Sequence, residues 1–135
     1  MIENSEEKRK KSVLLIRLSS LGDLVLLTST IELLYSFGTS ITLLTSTEYR
    51  DLFEEDPRIK ELIVYKKNRS LSDLVKEVRR ARYDYAFDLH RKPLTQFILR
   101  IARAKKKLFP MRNMRSLEWA RNMKRRYGPI LENWL

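Results

Sequence analysis

Hydrophobic residues fall into short continuous runs that alternate with longer stretches of helical spacing. Residues 13–16 read Val-Leu-Leu-Ile, four apolar side chains in succession, as expected of a strand covered on both faces of a parallel sheet. Beyond a turn, Leu24, Leu27, Thr28, Ile31, Leu34 and Tyr35 recur at helical spacing, and Gly38 stands where a helix would stop. Residues 41–44 predict a second strand. Residues 47–55 predict a short helix closed by Asp56-Pro57, because proline cannot continue a helix and restricts the residue before it. A third strand is predicted at 62–65. Ser70 and Asp73 then open a helix with Leu71, Leu74, Val75 and Val78 on one face. Residues 83–89 predict the fourth strand, 94–104 an amphipathic helix, 107–109 a short fifth strand, and 114–127 a last basic helix before Gly128-Pro129.

This alternation predicts an α/β chain, a three-layer Rossmann-like domain around a parallel sheet of about five strands with right-handed crossovers. Residues 1–12 read as a charged, disordered tail and 13–135 as the domain. The commonest strand order, 3-2-1-4-5, sets strands one and four side by side where the winding reverses, and ligands bind there, outside the carboxyl ends. Residues 17–23 and 88–93 form the loops that open on that crevice. Each loop holds an acid and an arginine.

Composition narrows the chemistry. The 135 residues suit a single core, and 43% hydrophobic with 33% charged residues describes a globular chain. With no cysteine and one histidine, His90, disulfides, thiolate chemistry and the usual zinc site fall away, so neither a metal nor a cofactor is expected. There is no G-x-G-x-x-G after the first strand and no Walker phosphate loop, which removes the common nucleotide cradles. No apolar run approaches the roughly 20 residues of a membrane span, and Glu3, Glu6 and Glu7 disagree with a signal peptide, so a cytoplasmic protein is expected.

The net charge of +11 is unevenly spread. Residues 100–126 carry 11 Lys or Arg against one acid, Glu118, whereas the remainder is nearly balanced. Such a segment attracts polyanions, and Arg112 and Arg115 are among its candidate contacts.

Within the first loop, R-L-S-S-L-G-D, Gly22 and Asp23 fall at the start of the predicted helix, where free N–H groups and the positive end of the macrodipole favour an anion. Two readings of Asp23 stand side by side. It is a stabilising first-turn acid, or it is a carboxylate that accepts a proton from an attacking hydroxyl while the bare glycine lets a substrate approach. His90, after Asp88, is a second-rank candidate for substrate contact.

Three segments, residues 13–34, 41–67 and 83–110, together resemble the amino-terminal domain of the ADP-heptose:lipopolysaccharide heptosyltransferases, glycosyltransferase family 9. The most specific element is R-x-S-S-x-G-D after strand one. D-L-x-x near the end of strand four is a weaker echo. Two positions depart from the family pattern: Ser29 stands where proline commonly follows the first-helix threonines, and Arg91 stands where D-L-x-G has glycine.

The resemblance implies one half of a GT-B fold, the acceptor-type half, with the donor-binding domain absent from these residues. It implies Asp23 as catalytic base in an inverting, metal-independent transfer of heptose from ADP-heptose to a lipopolysaccharide core or other anionic sugar acceptor. Arg17, Ser19, Ser20, Gly22, Asp88, His90, Arg91 and Lys92 are then substrate-binding candidates. Activity is expected only with a donor domain, supplied by a separate chain, and peripheral contact with the inner membrane is expected. The alternative is a non-enzymatic module that holds nucleic acid or anionic lipid through its basic carboxyl-terminal third.

Overall fold

The computed structural model describes residues 10–108. In chain order these form β1 (Ser12–Ile16), α1 (Leu21–Ser36), β2 (Ser40–Ser46), a 3-10 turn (Thr47–Tyr49) running into α2 (Arg50–Phe53), and β3 (Ile59–Tyr65). They continue as α3 (Leu71–Val78), β4 (Tyr83–Asp88), α4 (Pro93–Ile101) and β5 (Ala104–Leu108). Every strand pair is parallel and the order is β3-β2-β1-β4-β5. The expected α/β architecture and strand order are therefore present, with β1 central and the winding reversing between β1 and β4.

Side-chain alternation along β1 divides the core into two layers. Val13 and Leu15 pack with Leu24, Leu27, Ile31 and Leu34 of α1 and with Phe53 of α2. Leu14 and Ile16 point to the other face, against Leu74 and Val78 of α3 and Ile98 and Leu99 of α4. All four β1 side chains are fully buried, and each such burial contributes roughly 1.5–3 kcal/mol before conformational entropy is counted. This is why an unbroken apolar run, and not an alternating one, marks the central strand.

The predicted helix ends also have physical causes. Gly38 has φ 77°, a conformation in which any side chain is strained, and its N–H reaches the Tyr35 carbonyl at 2.9 Å to close α1. Ser70 caps α3, its side chain accepting from the Asp73 amide at 3.4 Å.

Several boundaries differ from the sequence expectation. β1 begins at Ser12, inside the stretch read as a tail, because the Ser12 amide donates to Asp84 at 2.8 Å and the Lys11 carbonyl accepts from Ser40 at 2.7 Å. The helix expected over 47–55 is a 3-10 turn and one α-helical turn that stops at Phe53, whose ring is anchored in the core. α4 ends at Ile101 instead of 104, and β5 starts at Ala104 instead of 107. That strand is A-K-K-K-L with its three lysines exposed, paired among the described residues with β4 alone, so no apolar pattern announced it. The helix expected over 114–127, with Arg112 and Arg115, lies outside the described residues. Among those described, no helix is long and apolar enough to cross a membrane.

Candidate active site

The two predicted loops lie at the carboxyl ends of adjacent strands. Ile16 and Asp88 are register partners at the ends of β1 and β4, and the Leu89 amide extends the ladder by donating to the Ile16 carbonyl at 2.9 Å. Residues 17–23 and 88–93 therefore leave the sheet side by side.

Ser20 is the N-cap residue of α1, its carbonyl accepting the first helical bond from Leu24 at 2.9 Å. Its hydroxyl makes no capping bond to the backbone and instead donates to Asp23 Oδ2 at 3.1 Å. That places Asp23 in the first turn, at the positive end of a 16-residue helix. Arg17, the first residue past β1, sends one terminal nitrogen to Asp23 Oδ2 and the other to the Leu89 carbonyl. One guanidinium thus holds the acid of its own loop and the backbone of the other. The Arg17 side chain is 20% exposed and that of Asp23 is 34%, so the pair lies at the wall of the crevice with the carboxylate the more accessible member.

A Cβ placed on Gly22 would meet nothing within 4 Å. The absence of a side chain is not needed for packing within the chain, and it leaves open space beside Asp23.

The second loop is organised by Asp88, whose side chain is fully buried. Oδ1 accepts from the His90 and Arg91 amides at 3.0 and 2.9 Å, and Oδ2 accepts from the Thr95 hydroxyl at 3.1 Å. Asp88 accordingly builds the loop, and its oxygens do not face the crevice as a substrate contact would require. Thr95 is the residue that sequence reasoning missed. Fully buried, its hydroxyl also accepts from the Lys92 amide at 3.0 Å, tying the start of α4 to the end of β4. The signal was available: Pro93 and Thr95 sit at the first and third positions of the helix, where a capping residue is expected.

Arg91 has φ 57°, the left-handed region. A glycine takes up this conformation without steric cost, and an arginine does not. His90 is half-buried between the loops. Burial and the neighbouring Arg17 guanidinium hold its imidazole below the ordinary value, against the opposing effects of Asp88 and a hydrogen bond to the Ser19 backbone. Its Nδ1 is buried without a hydrogen-bond partner. The imidazole is therefore held towards its neutral form, with Nδ1 enclosed by the protein. Lys92 is exposed at the rim. Arg17 and Ser20 thus meet at Asp23, and Arg17, Ser19 and Lys92 lie near enough to His90 to act on it, while Gly22 and Arg91 belong to the same two loops. Among the described residues no cluster of three or more His, Cys, Asp or Glu could hold a metal ion.

What this arrangement can do chemically is accept a proton at Asp23 and hold an anion near Arg17 and its basic neighbours. No protein-family model matches the chain, and comparison with curated proteins finds no relative. Solved structures do match. The glycosyl transferase family 9 structure from Veillonella parvula superposes with a TM-score of 0.74 at 19% identity, covering 87% of this chain and 42% of that one. E. coli ADP-heptose LPS heptosyltransferase II gives 0.64 at 18% identity, over 81% of this chain and 40% of that one. E. coli heptosyltransferase WaaC with ADP-2-deoxy-2-fluoro heptose gives 0.57 at 14%, over 87% and 48%. The chain spans less than half the length of each of these structures. It is a Rossmann-like α/β domain with the fold that recurs in glycosyltransferase family 9 structures, as the R-x-S-S-x-G-D resemblance implied.

Proposed function

We propose that this domain is the acceptor-side half of a heptosyltransferase-like glycosyltransferase, with Asp23 as the general base. The observation that carries the reading is the position of Asp23: a part-exposed carboxylate beside open space at Gly22, at the carboxyl end of the central strand where the winding reverses. In the reaction, the acceptor hydroxyl oxygen attacks the anomeric carbon of an ADP-linked heptose, its proton passes to Asp23, and the bond to the nucleotide oxygen breaks with the electron pair leaving on ADP. Arg17 has a second part. Its ion pair occupies one carboxylate oxygen of Asp23, and an acidic sugar or phosphate on the acceptor would draw the guanidinium away as the hydroxyl arrives.

The donor groups come from a second domain, on the same polypeptide or on another chain. Holding acceptor, base and donor carbon in near-attack geometry is worth roughly 7–11 kcal/mol, which half a cleft does not supply. The test is reconstitution. The described domain should show no transfer alone, and adding a donor domain should restore it. In the restored pair Asp23→Asn should slow transfer on the order of 100-fold to 10,000-fold with acceptor binding nearly unchanged. Full activity in that variant would return Asp23 to the role of a helix-start acid.

A further inference from the structure

The two faces of the sheet are not covered alike. α3 and α4 pack on one face, and α1 and α2 on the other. α1 and α2 belong to the connections from β1 to β2 and from β2 to β3, whereas β4 and β5 lie on the opposite side of β1. Among the described residues, no helix on the α1 face is therefore seated over β5 or the outer side of β4. The side chains there nevertheless belong to the core. Tyr85 and Phe87 stack with ring centroids 6.3 Å apart, Phe87 is buried, and Tyr85 and Leu108 pack half-buried against the same cluster.

α1 carries the matching half of this surface. Leu24, Leu27, Ile31 and Leu34 are its buried line against the sheet. Glu32 meets Arg58, which follows α2, and Tyr35 lines a cleft with Arg58, so these two mark the flank turned towards α2. At 3.6 residues per turn, Leu26, Thr30 and Leu33 fall on the other flank, the one turned towards β4. They stand at i, i+4 and i+7, the spacing of a packed stripe, with Thr30 buried, Leu33 half-buried and Leu26 exposed. A helix with apolar residues on both flanks has neighbours on both sides.

The chain supplies an occupant of the right size and pattern. Leu108 ends β5 at the edge of this surface, and residues 109–135 continue from it. Residues 109–113, with Pro110, are a link of ordinary length. Over 114–127, helical spacing sets Trp119, Ala120, Met123 and Tyr127 on one side, and Glu118, Arg121 and Arg125 on the opposite one. As a helix this stretch measures about 21 Å, against roughly 17 Å for the five residues of β5, so one return along the strand spans it. Tethered through so short a link, it is present at an effective concentration in roughly the millimolar range, ahead of the same stretch on another molecule.

We propose that the surface between α1 and β5, over β4, is the seat of residues 114–127 of the same chain. Trp119, Ala120, Met123 and Tyr127 turn inward, against the Leu26-Thr30-Leu33 flank and the outer side of β4. Arg121 and Arg125 then stand outward, so the cationic third of the chain is carried on the α1 side of the sheet. The seat does not depend on what the crevice catalyses.

The chain's two tryptophans, Trp119 and Trp134, make the test direct, because Trp134→Phe leaves Trp119 as the one indole. In that full-length protein Trp119 should emit to the blue of free tryptophan and be shielded from acrylamide. Leu26→Glu, at an exposed position on the seat, should move the emission to the red and remove the shielding. Leu52→Glu, equally exposed but on α2, should do neither. Met123→Glu gives the same reading from the other partner if Leu26→Glu loses its fold by circular dichroism. Free-tryptophan emission in the parent, shielding unchanged by Leu26→Glu in a folded protein, or an equal loss in Leu52→Glu would overturn the proposal. Shielding that grows with protein concentration, together with a dimer in gel filtration, would overturn it in favour of a second copy.

Discussion

Arg17 and Asp23, six residues apart, meet side chain to side chain while the other terminal nitrogen of Arg17 rests on the carbonyl of Leu89. The loop that carries the proposed base is thereby fastened to the loop that carries His90. Arg17→Gln should cost about 1–2 kcal/mol in urea unfolding, below the value for a fully buried charged hydrogen bond because Asp23 is about one-third exposed. Arg17→Lys should recover only part of this, since an ammonium cannot span both acceptors as the planar fork does. An Arg17→Gln variant as stable as the parent would mean that the two loops hold their positions independently.

Thr95 is expected to matter more than its place outside the crevice suggests. Thr95→Val removes the hydroxyl and leaves the buried Asp88 Oδ2 and the part-buried Lys92 amide short of a partner, at a cost of about 1–3 kcal/mol. Thr95→Ser, which keeps the hydroxyl, should cost distinctly less. Equal losses in the two variants would show that the methyl group, not the hydrogen bonds, is what the site requires.

At Arg91 the expectation has the opposite sign. Against Arg91→Ala, Arg91→Gly relieves a left-handed conformation worth roughly 1–2 kcal/mol and loses part of that to the greater freedom of glycine when unfolded, so it should be the more stable of the two by about 0.5–1 kcal/mol. Arg91→Ala keeps the strain and should show no gain. Chemical denaturation of the three proteins decides it.

His90 gives a pH dependence. Its folded value lies below the ordinary 6.5, so near and below that pH the unfolded chain binds the proton more readily than the folded one. The contribution is fully present above pH 6.5 and is lost as pH falls through the lower, folded value. Stability measured from pH 7.5 down to 5 should therefore decline in the parent and decline less in His90→Asn. Parallel curves would place the titration elsewhere.

Much of this was legible in the sequence because burial writes itself in hydrophobic pattern. The four apolar residues of β1 have no solvent-facing side, and the chain shows it. β5 was misplaced for the complementary reason: Lys105, Lys106 and Lys107 sit on an edge strand, where pairing is made by the backbone and the side chains reach water. Asp88, a substrate-binding candidate by its place at the end of β4, shares parity with Ala86 and so turns beneath α4, where Thr95 meets it. That alternation was visible, but which partner would satisfy a buried carboxylate depended on a residue seven positions away. The Arg17 bridge needed the strand order in three dimensions before it could be seen.

The lysines of β5 also bear on how copies of this domain meet one another. An outer strand whose main-chain groups face no neighbour is a template for adding another strand, the usual first step towards fibres. Here a second copy approaching along that edge would set a run of three ammonium groups beside an identical run, and like charges directly opposite in a ladder are destabilising. Among the described residues β5 is an outer strand, and its lysines make that edge unfavourable for pairing with a copy of itself.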